Sequence, residues 1–203
     1  GSVAMSAATV MTGDATVTGN GTATSGAITL TAERNVDSDA LSTGVASAAE
    51  GDATSGAIDV VATSGNVTLT TVTSGDATVA GNGTATSGAI TLTASGANGT
   101  LTLDDALTGV ASVGATGSAT SGAITLLADG DVTVNASLET GTADTVDGDA
   151  TSGLVSVTSS NGSVAMSAAT VMTGDATVTG NGTATSGAIT LTAERNVDSD
   201  ALS

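Results

Sequence analysis

Over residues 89–94 the chain reads Ala-Ile-Thr-Leu-Thr-Ala, so Ile90, Leu92 and Ala94 share one side of an extended backbone and Thr91 and Thr93 the other. A period of two marks a half-buried strand. A turn is expected over 95–99, then a second alternating run over 100–103 with Leu101 and Leu103 inward. A third run follows Gly109 and occupies 110–113, with Ala111 and Val113 inward. The pattern predicts three short strands separated by turns.

The same pattern returns along the whole chain. The stretch 21–30, Gly-Thr-Ala-Thr-Ser-Gly-Ala-Ile-Thr-Leu, recurs in close variants starting at 51, 83, 117, 148 and 182, in steps of 30 to 34 residues. Aligned on it, the first strand supplies Ile28, Ile58, Ile90, Ile124, Val155 and Ile189 in one column. The third supplies Ala15, Ala46, Ala77, Ala111, Ala143 and Ala176, each two residues after a recurring glycine. The segment Glu33-Arg34-Asn35-Val36-Asp37-Ser38-Asp39 keeps Val36 but is expected to lack a clean second strand.

Self-similarity at a period of this size is the signature of a stacked-repeat protein. The expected fold is all-β, a parallel β-helix (β-solenoid) over 1–203, with one turn per repeat and three short strands per turn. Two shorter turns per repeat is the alternative. Recurring glycines are expected at corners where φ is positive, and Asn-Gly pairs at 20, 82, 98, 161 and 181 add turn signals. Proline is absent, as a ladder that uses almost every backbone N–H requires. A longer repeat lies over the short one: residues 1–42 are identical to 162–203, an offset of 161 that equals five short repeats. Physical constraint tolerates exchange among Ser, Thr and Ala, so identity of this length points to tandem duplication and to a window within something longer.

Composition narrows the picture. The chain has no aromatic residue, no Cys, no His and no Lys, and only two Arg, Arg34 and Arg195. Side chains no larger than Leu, Ile and Met fill a thin interior rather than a wide one. A net charge of −18 argues against nucleic acid and anionic membrane surfaces, both of which need a basic footprint. No apolar run is long enough to span a bilayer. Without Cys there are no disulfides and no zinc–thiolate sites.

Carboxylates are the remaining chemical groups. Polysaccharide-cleaving sites on β-helices pair a general base with a basic partner and aromatic sugar platforms; this sequence has no His, Lys or aromatic residue, and each Arg lies beside a Glu (Glu33-Arg34, Glu194-Arg195). The expectation is no enzyme, no catalytic residue and no cofactor. Asp129-Gly130-Asp131, Asp37-Ser38-Asp39 and Asp104-Asp105 bring carboxylates close together, as weak surface calcium binding would require; a solvated acidic face is the simpler reading. Outward threonines such as Thr29/Thr31, Thr91/Thr93 and Thr190/Thr192 suggest an ice-binding row, broken by Asp59/Val61 and by Leu127. Asn-X-Ser/Thr triplets at Asn20, Asn66, Asn82, Asn98, Asn135, Asn161 and Asn181 fall in expected turns or at strand edges.

The cadence of Ser-Gly-Ala-Ile-Thr-Leu-Thr-Ala (25–32 and 87–94), followed by Gly-Asn-Val-Thr-Leu-Thr (65–70) or Gly-Asp-Val-Thr-Val (130–134), resembles the repeat shafts of filamentous-haemagglutinin-like large exoproteins. The repeat is longer than that family's usual coil. The resemblance implies a secreted or cell-surface shaft, stalk or fibre. The expected function is therefore a structural, non-enzymatic extracellular rod. Its expected partner is itself, through covalent continuation or end-to-end stacking. A glycan-, calcium- or ice-binding surface module, or one that meets a host surface, is the competing class.

Overall fold

The computed structural model describes residues 1–202, with every side chain except those of Ser6, Ser167, Ala168, Asp200, Ala201 and Leu202. Ser203, the last residue of the second long-repeat copy, lies outside the described residues. Three parallel sheets run the length of the molecule, and the described residues contain no helix. Sheet I stacks Val3–Met11, Val36–Ser42, Val67–Thr73, Leu101–Leu107, Val132–Glu139, Val164–Met172 and Val197–Leu202. Sheet II stacks Ala15–Thr24, Ala46–Thr54, Ala77–Val79 with Gly83–Thr86, Ala111–Thr120, Ala143–Thr151, and Ala176–Val178 with Gly182–Thr185. Sheet III stacks Ile28–Ala32, Ile58–Ala62, Ile90–Ala94, Ile124–Ala128, Val155–Ser159 and Ile189–Ala193.

Each repeat contributes once to each sheet, so one repeat is one turn of a β-solenoid and the two-turn alternative is excluded. Ile28 lies opposite Ile58, Ile58 opposite Ile90, and the column continues through Ile124, Val155 and Ile189 without a slip. The alanine column from Ala15 to Ala176 is equally in register. Six turns at a strand spacing of about 4.8 Å make a stack about 30 Å tall.

Three details differ from the sequence reading. The strands of sheet II run on through the first half of the repeated motif, so Gly-Thr-Ala-Thr is strand and not turn. The segment after Arg34 does form its strand, Val36–Ser42, paired with Val67–Thr73. Its hydrogen bonds come from the turns above and below rather than from its own pattern, and buried Val36 and Leu41 anchor it. The third concerns glycine. Positive φ occurs at Gly51, Gly83, Gly148 and Gly182, in the middle of sheet II, where the strand bends. The glycines flanking sheet II, such as Gly75 and Gly88, need no such conformation. They are required by crowding: a Cβ on Gly75 would collide with the Gly44 carbonyl, and one on Gly88 with the Gly56 carbonyl.

The interior consists of two apolar strips rather than one. The larger lies between sheets I and III and holds the Ile, Leu and Val columns, with Met166. The smaller lies within the bent strands of sheet II and is built almost wholly of alanine, with Val79 and Val113. Between them the coil is pinched by two columns of hydroxyls, buried except at the end positions Thr12 and Thr173, which are half-buried. One column, Thr12, Thr43, Ser74, Thr108, Thr140 and Thr173, precedes sheet II. The other, with Ser25, Ser55, Ser87, Ser121 and Ser152, follows it. Thr43 Oγ1 donates to the Gly56 carbonyl at 2.7 Å, Ser74 Oγ to Gly88 at 2.6 Å and Ser87 Oγ to Gly109 at 2.6 Å. Each hydroxyl also accepts a glycine N–H one turn on: Gly75 donates to Thr43 at 3.0 Å and Gly122 to Ser87 at 2.8 Å. These bonds close the waist and satisfy backbone groups that the glycine corners leave out of the sheets.

Candidate functional site

Inward positions are committed to packing, so any function is carried by the outward columns and the notches at the waist. The outward face of sheet III carries Thr29, Asp59, Thr91, Thr125, Ser156 and Thr190 in one column and Thr31, Val61, Thr93, Leu127, Thr158 and Thr192 in the next. The threonine rows foreseen from the sequence are therefore spatial columns. Asp59, Val61 and Leu127 interrupt them at the places expected.

Aspartates serve a structural purpose that sequence reading missed. Asp14 Oδ1 accepts the backbone N–H of Val45 at 2.8 Å and Asp76 Oδ1 that of Val110 at 2.8 Å. Asp52 accepts from Thr84 and Asp149 from Thr183, both at 3.2 Å. Asparagines do likewise: Asn35 Oδ1 accepts from the Asn66 amide at 3.0 Å, and Asn66 Oδ1 from the Thr100 amide at 2.9 Å. Each acceptor reaches one turn on, where the chain is leaving or entering a strand and the ladder has a free donor. The signal was present in the columns, since aspartates never occupy adjacent turns there. Adjacent carboxylates at strand spacing would also repel by about 1 kcal/mol in water.

The close carboxylate pairs are engaged in the same way. Asp129 accepts from the Asn98 amide and from Asn161 Nδ2, both at 2.7 Å, and Asp131 from the Ser163 amide at 2.8 Å. Asp104 accepts from Asn135 Nδ2 and Asp105 from Ser137 Oγ, each at 2.8 Å. Asp37 and Asp39 are exposed. Among the described residues, no three metal-ligating side chains come together.

A groove of about 350 Å³ runs along the outer side of the waist, where sheet I ends and sheet II begins. It crosses four turns. One wall is set by Thr73, Leu107, Glu139 and Met172 and the other by Asp76, Val110, Thr142 and Asp175, over a floor of hydroxyl–glycine pairs. Leu107 and Met172 are 41% and 38% exposed there, more than core positions of their kind. The pinch produces the groove: the hydroxyl bonds draw the chain inward and leave a notch between two sheet margins.

No family model, no curated protein and no solved structure matches the chain.

Proposed function

We propose that the chain is a segment of a structural, non-enzymatic rod whose output is length and stiffness, as a cell-surface stalk, adhesin shaft or matrix fibre requires. The observation that carries this reading is the unbroken in-register stacking of whole turns, joined to a sequence that returns to itself after 161 residues, or five turns. In such a stack each turn contacts only its neighbours, so length is added without altering the cross-section. The outermost strand of each sheet keeps one open edge, which either a further turn of the same chain or a second copy satisfies. An extracellular setting is part of the proposal, supported by the cadence of the repeats and the freedom from cysteine.

Tandem copies of residues 1–161 test the reading. Each added copy is expected to lengthen the particle by about 24 Å at constant width, measured by small-angle scattering or electron microscopy. Oriented fibres should give a meridional reflection near 4.8 Å. A particle that thickens as copies are added refutes the rod.

A further inference from the structure

We propose that the waist groove is a binding site for linear organic polycations, amines carried on an aliphatic chain. The lining alternates along the axis. Asp76 stands on the third turn and Leu107 with Val110 on the fourth; Glu139 stands on the fifth, and Met172 with Asp175 on the sixth. By the strand spacing, Asp76 and Glu139 are about 10 Å apart along the axis, and Glu139 and Asp175 about 5 Å. At metal–oxygen distances of about 2.0–2.6 Å, a single metal ion cannot reach all three carboxylates. A flexible chain of methylenes with ammonium groups at intervals matches both the charges and the apolar surface between them.

Charge complementarity selects this ligand over others. The groove has three carboxylates and no basic side chain among its lining residues, and the whole chain carries −18. An anion is repelled, the acidic flank of a second copy laid against the groove is repelled, and a sugar finds no aromatic face on which to stack. The floor is rigid, because its backbone amides and carbonyls are tied into the hydroxyl–glycine network. Recognition therefore falls to the walls. Asp76 gives one oxygen to the Val110 amide at 2.8 Å and keeps the other for a ligand. Glu139 and Asp175 lie at least partly in solvent, and a dehydrated alkyl chain over Leu107, Val110 and Met172 adds apolar contact to the charge pairing.

The test uses the full chain and spermine as probe, titrated calorimetrically at low ionic strength. The double variant Glu139→Gln/Asp175→Asn removes two groove charges. The control Asp37→Asn/Asp59→Asn removes two exposed charges elsewhere, so net charge is matched. Spermine is expected to bind the wild type, to bind the groove variant at least about tenfold more weakly, and to bind the control within about twofold. Ethylenediamine, too short to span two turns, is expected to bind no better to the wild type than to the groove variant. Equal weakening by both double variants, displacement of spermine by magnesium at matched charge, or no binding to the wild type overturns the proposal. Far-UV circular dichroism confirms that both variants keep the fold.

Discussion

Replacing Ser87 by alanine removes a donor to the Gly109 carbonyl and an acceptor for the Gly122 amide, and both of those glycines are buried. Each group left unpaired costs about 1–3 kcal/mol, so Ser87→Ala is expected to destabilise by about 2–6 kcal/mol in urea unfolding. Thr108→Ser, by contrast, keeps the hydroxyl that bonds to Gly122 and is expected to stay within about 1 kcal/mol of the parent. Ser38 presents the opposite case. It is buried at 2% exposure, its Oγ has no partner, and its neighbour in the column is Leu69. Ser38→Ala is expected to stabilise by about 1 kcal/mol, because an unpaired hydroxyl is no longer held away from water. The waist was written in the sequence as two columns that admit only Ser or Thr. It went unread because a serine before a glycine also reads as an ordinary turn, and nothing local shows that two such corners face one another.

At the scale of strands and turns, the sequence was much more legible. Alternation located sheet III almost residue for residue, and the columns set its register, because a slip by one residue would turn every Ile outward. Sheet II was harder. Ala-Thr-Gly-Ser-Ala-Thr has little apolar contrast, so strand and turn look alike, and the bend through its middle depends on backbone conformation that periodicity does not report. The strand Val36–Ser42 was missed for a related reason: in a parallel stack the neighbouring turns impose the extended chain on a segment whose own pattern is poor. Two expectations belong to this scale. Ile90→Ala, in a fully buried column, should cost about 2–5 kcal/mol. Deleting 87–120 joins Thr86 to Ser121, whose neighbours already occupy equivalent positions. It removes one whole turn and should leave a folded, shorter stack, whereas deleting 87–103 should abolish cooperative unfolding, as read by circular dichroism.

For the molecule as a whole, stacking concentrates like charge along a thin body. Salt should therefore stabilise it. Between 0.01 and 0.15 M ionic strength the screening length falls from about 30 Å to about 8 Å, and the thermal midpoint is expected to rise over that range as self-repulsion weakens. A midpoint that falls or stays level would mean that cross-turn hydrogen bonds of the aspartates, rather than their mutual repulsion, dominate the electrostatics. The overall architecture was readable because a repeat protein states its rule many times, and each restatement corrects the ambiguity of the last. What no restatement could supply was the division of the interior in two, since both strips share one period.

On sheet III the inward residues are nearly constant while the outward ones change freely from turn to turn, Thr29, Asp59, Thr91 and Ser156 among them. The outer surface is in effect an addressable lattice, with sites about 4.8 Å apart in one direction and about 6.6 Å in the other. Its chemistry can be rewritten site by site while the scaffold beneath keeps its shape.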